Sequence, residues 1–376
     1  MRVLIFTNSV TMGGMEEHVA LLARHLDRSL FEVFAVCPRW QPAERLQQML
    51  ANSADHLAVS TPDRRWGLLS MIWETVRLHR RLRTWQIDVV HMHSTTYRGQ
   101  VFALIGCWAA GVRRVYVTEH LAPDAALPRP ERWLRNLFSA AVTGIVCVSQ
   151  KNLEARRAYI YTPSQRTTVV ENGIDVGKFE PIAPDELSKL RVRYDIPPEA
   201  PIVGTAVRFE PDKGLDDLIA AMPAIRAACP DVHFLLVGDG SLRKDLEAQV
   251  ARLNMTDRVH FTGFQDDPRA FLGLMDVFVL PVPVGSMSIG LLEAMAMERT
   301  VVMTFGGDGE AVIDGESGFC ATPRDPASIA RFTTKALLDP ELRRRVGRAA
   351  RQRVTDHFSA QRVADALGAL YRQQET

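Results

Sequence analysis

The stretch Leu280–Ala296, LPVPVGSMSIGLLEAMA, reads as the hinge of the whole sequence. An apolar run ends on Pro281 and Pro283, passes a glycine-bearing loop and enters an apolar helix, with Glu293 expected as its third or fourth residue. A strand that feeds a helix through such a loop is the repeating step of a parallel α/β sheet, whose ligands collect at the carboxyl ends of the strands. The free N–H groups of a helix start attract phosphate, and a carboxylate one turn in can accept two hydrogen bonds from a vicinal diol. A nucleotide carries both groups. The same residues also fit a plain buried helix with Leu291, Leu292, Ala294, Met295 and Ala296 in the core, and Glu293 as an exposed acid favoured by the helix dipole. The rest of the chain has to separate these readings.

Outward from that stretch, short β-rich runs alternate with amphipathic ones. Upstream lie strands at Ile202–Ala206, Val232–Val237, Val259–Phe261 and Val277–Leu280, with helices at Gly214–Ala228 and Leu242–Leu253; downstream, Thr300–Thr304 is a strand, followed by glycines 306, 307 and 309 and three polar helices. The first half repeats the plan. Its strands are expected at Val3–Phe6, Val33–Val36, Val89–His91, Val115–Thr118, Ile145–Val148 and Thr168–Val170, and its helices at Glu16–Leu26, Leu68–Leu82, Val101–Ala110 and Arg132–Ala141. Ser149 is placed to cap the helix after the sixth of these strands.

A proline-rich stretch, 176–200, separates the two patterns and reads as a linker. The expectation is therefore an α/β protein of two facing Rossmann-like, doubly wound domains, 1–175 and 201–358, with both sets of strand ends on one cleft. A final helix within 359–376 carries Val363, Ala366, Leu367 and Leu370 at helical spacing, a stripe that needs a docking surface.

The 376-residue length favours two domains over one core. A net charge of +1 implies no polyanion, so nucleic acid is not an expected partner. Five scattered cysteines, Cys37, Cys107, Cys147, Cys229 and Cys320, lack metal-site spacing and read as small buried hydrophobes of a reducing compartment. MRVLIFTN is a strand rather than a signal peptide, and no apolar run nears the roughly 20 residues of a membrane span. A cytoplasmic location is the expectation.

Several strand ends carry chemistry. The turn Arg208-Phe209-Glu210-Pro211-Asp212-Lys213-Gly214 follows a strand and opens a helix, so Arg208 and Lys213 can neutralise a diphosphate leaving group, or be solvated loop cations. The turn Val237-Gly238-Asp239-Gly240-Ser241 allows close backbone approach to a ligand, or is a tight turn capped by Asp239 or Ser241. Gly263 and Phe264 sit at the next strand end, where they border a base or form an ordinary core edge. In the first half, Gly13 and Gly14 precede a helix and can meet a phosphate or acceptor, although the loop completes neither a dinucleotide nor a Walker fingerprint.

His91, His93 and His120 also fall at strand ends. His120 is expected to face the cleft, where it can bond a sugar hydroxyl or hold a proton. His91 and His93 share a strand face and fit structural roles, and a metal site would need a third ligand that the sequence does not point to. Arg64, Trp66, Trp73, Arg77, Arg80, Arg81, Arg83 and Trp85 surround one amphipathic helix, which suits an anionic membrane surface or an ordinary outer helix.

Together these segments resemble the retaining glycosyltransferases of the GT-B fold, family 4 (glycosyl transferases group 1). The resemblance is carried by Gly13-Gly14 with Glu16, Val90-His91-Met92-His93-Ser94, Thr118-Glu119-His120, Cys147-Val148-Ser149, Glu171-Asn172-Gly173-Ile174-Asp175, Arg208 through Gly214, Val237–Gly240, Phe261-Thr262-Gly263, Leu292–Ala296 and Asp314–Gly318. It implies transfer of a sugar from a UDP- or GDP-sugar to a sugar, lipid-linked or small-molecule hydroxyl, with same-face attack and no metal or other cofactor. By resemblance, Arg208 and Lys213 hold the diphosphate, Glu293 the ribose, and His120 the sugar. Gly13, Gly14, Gly238, Gly263, Phe264, Gly285, Ser286, Met287, Ser288 and Ile289 complete the nucleotide-sugar site. The last helix would cross back onto the first domain, and peripheral contact with the inner face of a membrane is a further expectation.

Two places depart from the family's pattern. Gly285 stands where the family usually has a second glutamate, and Glu298-Arg299-Thr300 replaces the usual Gly and Pro. Gly285 motivates an alternative, a weakened or non-catalytic nucleotide-sugar-binding relative with a regulatory role. A third reading, a sugar-nucleotide epimerase, would have to use Glu119 and Glu310 as its acid and base.

Overall fold

The computed structural model describes residues 1–9, 13–38, 44–60, 67–93, 97–120, 129–160, 166–283, 288–304 and 311–373. The chain divides into two compact units, Met1–Gly173 with Ala360–Thr376, and Ile174–Ser359. In the first unit the order is β1 (Arg2–Thr7), α1 (Gly14–His25), β2 (Glu32–Pro38), α2 (Glu44–Ala51), β3 (His56–Ser60), α3 (Gly67–Trp85), β4 (Val89–His93), α4 (Tyr97–Ala109), β5 (Arg114–Glu119), α5 (Arg129–Ala141), β6 (Gly144–Cys147), α6 (Gln150–Tyr159) and β7 (Thr167–Val169). The second unit follows with α7 (Pro184–Arg193), β8 (Ile202–Ala206), α8 (Leu215–Ala228), β9 (His233–Val237), α9 (Arg243–Arg252), β10 (Val259–Gly263), α10 (Arg269–Leu274), β11 (Val277–Leu280), α11 (Ile289–Ala296), β12 (Thr300–Thr304), β13 (Phe319–Ala321), α12 (Pro326–Leu338) and α13 (Pro340–His357). The last helix, α14 (Ala360–Arg372), belongs to the first unit.

Both sheets are parallel and doubly wound. The first runs β3-β2-β1-β4-β5-β6-β7 and the second β10-β9-β8-β11-β12-β13. The order reverses between β1 and β4, and again between β8 and β11. At such a reversal the crossovers leave in opposite directions and the carboxyl ends of the two strands open a crevice.

Strand alternation decides which face each residue serves. Val3 and Ile5 join α1, α2 and α14 on one side of the first sheet, whereas Leu4 joins α3, α4 and α5 on the other. Helices covering both faces are why these strands read as nearly continuous apolar runs.

The final helix docks as its stripe requires, with one change of membership. Ala366 is exposed, and the buried row is Val363, Ala364, Leu367, Gly368 and Tyr371. Gly368 lets the helix approach Phe31, since a Cβ there would lie 3.1 Å from its ring. The Tyr371 hydroxyl bonds His91 Nδ1, and Tyr116 donates to the Leu370 carbonyl at 3.1 Å. Tyr371→Phe should therefore leave a buried imidazole nitrogen unpaired and cost about 1–3 kcal/mol in chemical denaturation. An unchanged unfolding midpoint would remove that bond from the account.

Four elements escape the sequence pattern: α2, β3, α10 and β13. β3 and β13 are short edge strands, and the six residues of α10 are too few to establish a period. The expected linker is also revised. Residues 176–200 lie inside the second unit, where Phe179, Ile196 and Ala200 are buried in its core and α7 packs on α10. The prolines there shape a packed connection, which composition alone cannot distinguish from a free one. All five cysteines are buried and free, and burial pushes the Cys107 thiol up to about 12. No described helix is long and apolar enough to cross a membrane.

Candidate functional site

In the second unit the strand-end turns are built around glycines. A Cβ on Gly238 (φ +136°) would lie 2.0 Å from the Val207 carbonyl oxygen, and one on Gly214 (φ +64°) 2.2 Å from the Pro281 carbonyl oxygen. One on Gly290 would lie 2.7 Å from the Ala206 carbonyl oxygen. Side chains are thereby excluded where the loop after β8 is held between the turn after β9 and the start of α11. The positive φ values add a strain that only glycine avoids.

Hydrogen bonds lock the same layers. Phe209 N–H donates to Asp239 O at 2.9 Å, Leu242 N–H to Phe209 O at 3.0 Å, and Gly238 N–H to Gly263 O at 2.9 Å. Glu210 accepts from the Ser241 hydroxyl at 2.7 Å and its N–H at 3.2 Å, bonds that hold its carboxyl below the usual range. Sequence reasoning passed over Glu210. The expected side-chain cap from Asp239 or Ser241 is not formed: α9 starts at Arg243 without one, and Ser241 serves Glu210 instead.

Arg208, on this braced loop, is exposed. Lys213, partly buried, ends a 3-10 turn, Pro211–Lys213, and its ammonium lies 2.7 Å from the exposed Asp212 carboxylate, a pair that contributes little stability. Both cations thus stand at the β8 end, beside the start of α11. Ser288 precedes that helix without capping it through its side chain, and Ile289 packs on the core. Glu293 is the fifth residue of α11, one position deeper than the sequence suggested, and half-buried rather than an exposed first-turn acid. Gly263 has φ +76° and Phe264 is exposed. Gly285, Ser286 and Met287 lie outside the described residues, as do Gly306, Gly307, Gly309 and Glu310.

In the first unit the strand ends gather histidines. Register places Thr7, His93 and Thr118 in one row across β1, β4 and β5. His93 Nδ1 lies 3.2 Å from His120 Nε2, and the ring of His18, from α1, is 5.1 Å from that of His120 and 5.5 Å from that of His93. All three are buried. Burial lowers His18 to about 4, and burial with neighbouring imidazoles holds His93 and His120 well below their ordinary value, so the cluster is neutral near pH 7.

The histidines divide into two kinds. His91 is saturated by Tyr371 on one nitrogen and by Thr118 Oγ1, at 2.7 Å, on the other, as a structural histidine should be. His93 Nε2 and both nitrogens of His18 have no hydrogen-bond partner among the described residues. Those atoms are unusual in a buried setting and suit an incoming hydroxyl, to which a neutral imidazole offers one donor and one acceptor.

His18 is the third ligand that the sequence did not indicate, since the ligand atoms of His18, His93 and His120 lie within 4.8 Å of one another. A helix position and two strand ends meet only in the folded unit. One member of the set lacks the support a metal ligand usually has. Ligating imidazoles pass their second N–H to an acceptor, and His18 has none among the described residues.

Gly13 precedes α1 with extended backbone (φ −174°), and Gly14, exposed, begins it. Glu119 is not poised as an acid or base, because one carboxylate oxygen is engaged by the fully buried Arg156, which also bonds Ser139. That pairing removes one of the two carboxylates the epimerase reading needs.

Two parallel, doubly wound units, the first completed by the terminal helix, are the architecture of the GT-B class. A family model described as Glycosyltransferase Family 4 matches residues 12–178, and one described as Glycosyl transferases group 1 matches residues 188–353. The chain is 30% identical to the 2-deoxystreptamine glucosyltransferase of Streptomyces kanamyceticus over 322 residues, 81% of each chain. It is 29% identical to a glycogen synthase of Mycobacterium tuberculosis over 393 aligned positions, covering 96% of this chain and 91% of that one. Among solved structures, a Rickettsia africae glycosyltransferase superposes with a TM-score of 0.85 at 17% identity, covering 99% and 97% of the two chains. Anabaena HepE in complex with UDP superposes at 0.82 and 22% identity, covering 98% and 99%. The chain belongs to family 4 of the glycosyltransferases, the glycosyl transferases group 1, and is a glycosyltransferase.

Proposed function

We propose that this enzyme moves a sugar from a nucleoside-diphosphate sugar to a hydroxyl acceptor with retention and without a metal ion. The observation that carries the reading is the braced loop of the second unit, which presents Arg208 and Lys213 at the β8 end next to the start of α11. In this reading the two cations hold the diphosphate and Glu293 accepts hydrogen bonds from the ribose diol. Gly238, Gly263 and Phe264 border the base.

Departure of the diphosphate develops negative charge on its bridging oxygen, which the guanidinium and ammonium offset where other enzymes use a divalent cation. The acceptor hydroxyl attacks from the face the diphosphate leaves, and its proton passes to the departing phosphate oxygen. His120, with His93 and His18 behind it, contacts the sugar as a neutral imidazole, and Gly13 and Gly14 approach from the α1 start. Relatives support the donor class: one is named a GDP-mannose-dependent mannosyltransferase, and HepE was solved with UDP-glucose.

The test is a panel of UDP- and GDP-sugars with hydroxyl acceptors, read as released nucleoside diphosphate and by the anomeric configuration of the product in NMR. Product of inverted configuration, or turnover abolished by a chelator, would overturn the respective parts of the proposal. For the ribose contact, Glu293→Ala should weaken nucleoside-diphosphate binding by about 10- to 100-fold in calorimetry, the loss of a charged hydrogen-bonded pair. Unchanged affinity would remove Glu293 from the site.

A further inference from the structure

We propose that His18, His93 and His120 form a binding site for a zinc ion, and that the ion, when bound, stops sugar transfer. His18 comes from α1, His93 ends β4 and His120 follows β5, and all three are buried. Their ligand atoms lie within 4.8 Å of one another. Among the described residues no other three histidines, cysteines, aspartates or glutamates are so placed.

The spacing fits an ion. Two nitrogens that share a tetrahedral zinc, each about 2.0–2.1 Å from it, stand about 3.3 Å apart. His93 Nδ1 and His120 Nε2 are already 3.2 Å apart. Without an ion that distance is a hydrogen bond, so one of the two nitrogens carries a proton. Ligation moves this proton to the other nitrogen of the same ring, and none has to leave the protein. His18 supplies the third corner, its ring centroid 5.1 Å from that of His120 and 5.5 Å from that of His93. Neither of its nitrogens has a partner among the described residues, so its ring turns toward the pair without giving up a bond. A buried polar atom without a partner is destabilising, and an ion that takes its lone pair removes that cost.

The donor set selects the ion. Three imidazoles without a carboxylate or thiolate suit a borderline divalent cation and reject magnesium, calcium and manganese, which take oxygen ligands. Three histidines with an open fourth position are an established arrangement for zinc. Because His18 passes no second N–H to an acceptor, support whose loss costs about 10- to 100-fold in affinity, the ion is expected to exchange with a chelator rather than stay resident. The inhibitory part rests on the reading in which His120 contacts the donor sugar. An ion bound there takes a lone pair from that ring and sets a doubly charged cation where a neutral imidazole has to meet a hydroxyl.

Binding is tested first and needs no turnover. Full-length protein stripped with a chelator is titrated with Co²⁺, a coloured stand-in for zinc, and then with Zn²⁺. One Co²⁺ per chain is expected, with the visible absorption of four-coordinate cobalt, and zinc should displace it. X-ray absorption of the zinc form should show nitrogen at about 2.0–2.1 Å with imidazole scattering. Sulfur in that shell would assign the ion to cysteine and overturn the site. His18→Gln and His93→Gln, each checked for folding by circular dichroism, should weaken zinc binding by at least about 100-fold, since losing a ligand outweighs losing its outer support. His56→Gln, at an exposed imidazole on β3, should leave it unchanged. Absence of one-to-one binding, or binding insensitive to both cluster variants, would overturn the site.

Inhibition is read separately in the donor panel. Saturating zinc should lower wild-type turnover by at least about 100-fold, the scale of losing one transition-state contact, and a chelator should restore it. Zinc bound at the cluster with turnover unchanged would overturn the inhibition and take His120 off the sugar. No turnover by metal-free protein with any donor would overturn the transfer reading, and inhibition with it, while the binding result would stand on its own.

Discussion

Arg208→Ala and Lys213→Ala are each expected to lower kcat by about 100- to 1,000-fold, the usual consequence of removing one group that stabilises transition-state charge. The effect should fall on kcat more than on KM, because charge accumulates on the diphosphate as the sugar departs and is smaller in the bound donor. Folding should be spared. Arg208 is exposed, and the loop is held by Glu210, Asp239 and the glycines at 214 and 238 rather than by either cation. Asp212→Asn, which removes only an exposed partner of Lys213, should change little. Steady-state kinetics with an unchanged melting temperature tests this; a rise in KM at constant kcat would mean that the cations only bind the donor.

Acidification should destabilise the first unit steeply. Burial lowers His18 to about 4 and His91 to about 3, with His93 and His120 also held well below 6.5. In the unfolded chain each titrates near 6.5. Above that pH both states are neutral and stability is unaffected. As pH falls through 6.5 the unfolded chain binds protons that the folded unit refuses, so stability is lost until the folded values are reached. At pH 5 His18 and His91, held near 4 and near 3 in the folded unit, each contribute a loss of about 2 kcal/mol. His93 and His120, also held well below their ordinary value, add to the loss in the same direction, and the total is a sizeable share of a domain's stability.

Denaturation series between pH 7 and 5, read by circular dichroism, should show this loss. His18→Gln should flatten the slope by about one proton, 1.4 kcal/mol per pH unit. Constant stability across that range would mean that the imidazoles titrate normally and are not buried as described.

How the site came to be legible can be followed residue by residue. Arg208 and Lys213 were visible because a strand end, a loop and a helix start are adjacent in sequence, and their rim position follows from local order. Glu293 was visible for the same reason, though misplaced by one position, because a helix start next to glycine is set by packing of Gly290 on the Ala206 carbonyl. Glu119 could be seen but not judged. Its engagement by Arg156 joins residues of β5 and α6, and no spacing rule connects them.

The sequence by itself determined that the chain is two parallel α/β units with cations and a carboxylate at strand ends, because alternation, glycine turns and helix periods are properties of neighbouring residues. Only the tertiary structure decided which histidines are saturated and which are left open, that 176–200 is packed rather than free, and that α3, α4 and α5 share one side of the first sheet. Each of these depends on which crossover lies on which side of a sheet. That is set by burying apolar area over the whole unit, a sum that no local stretch contains.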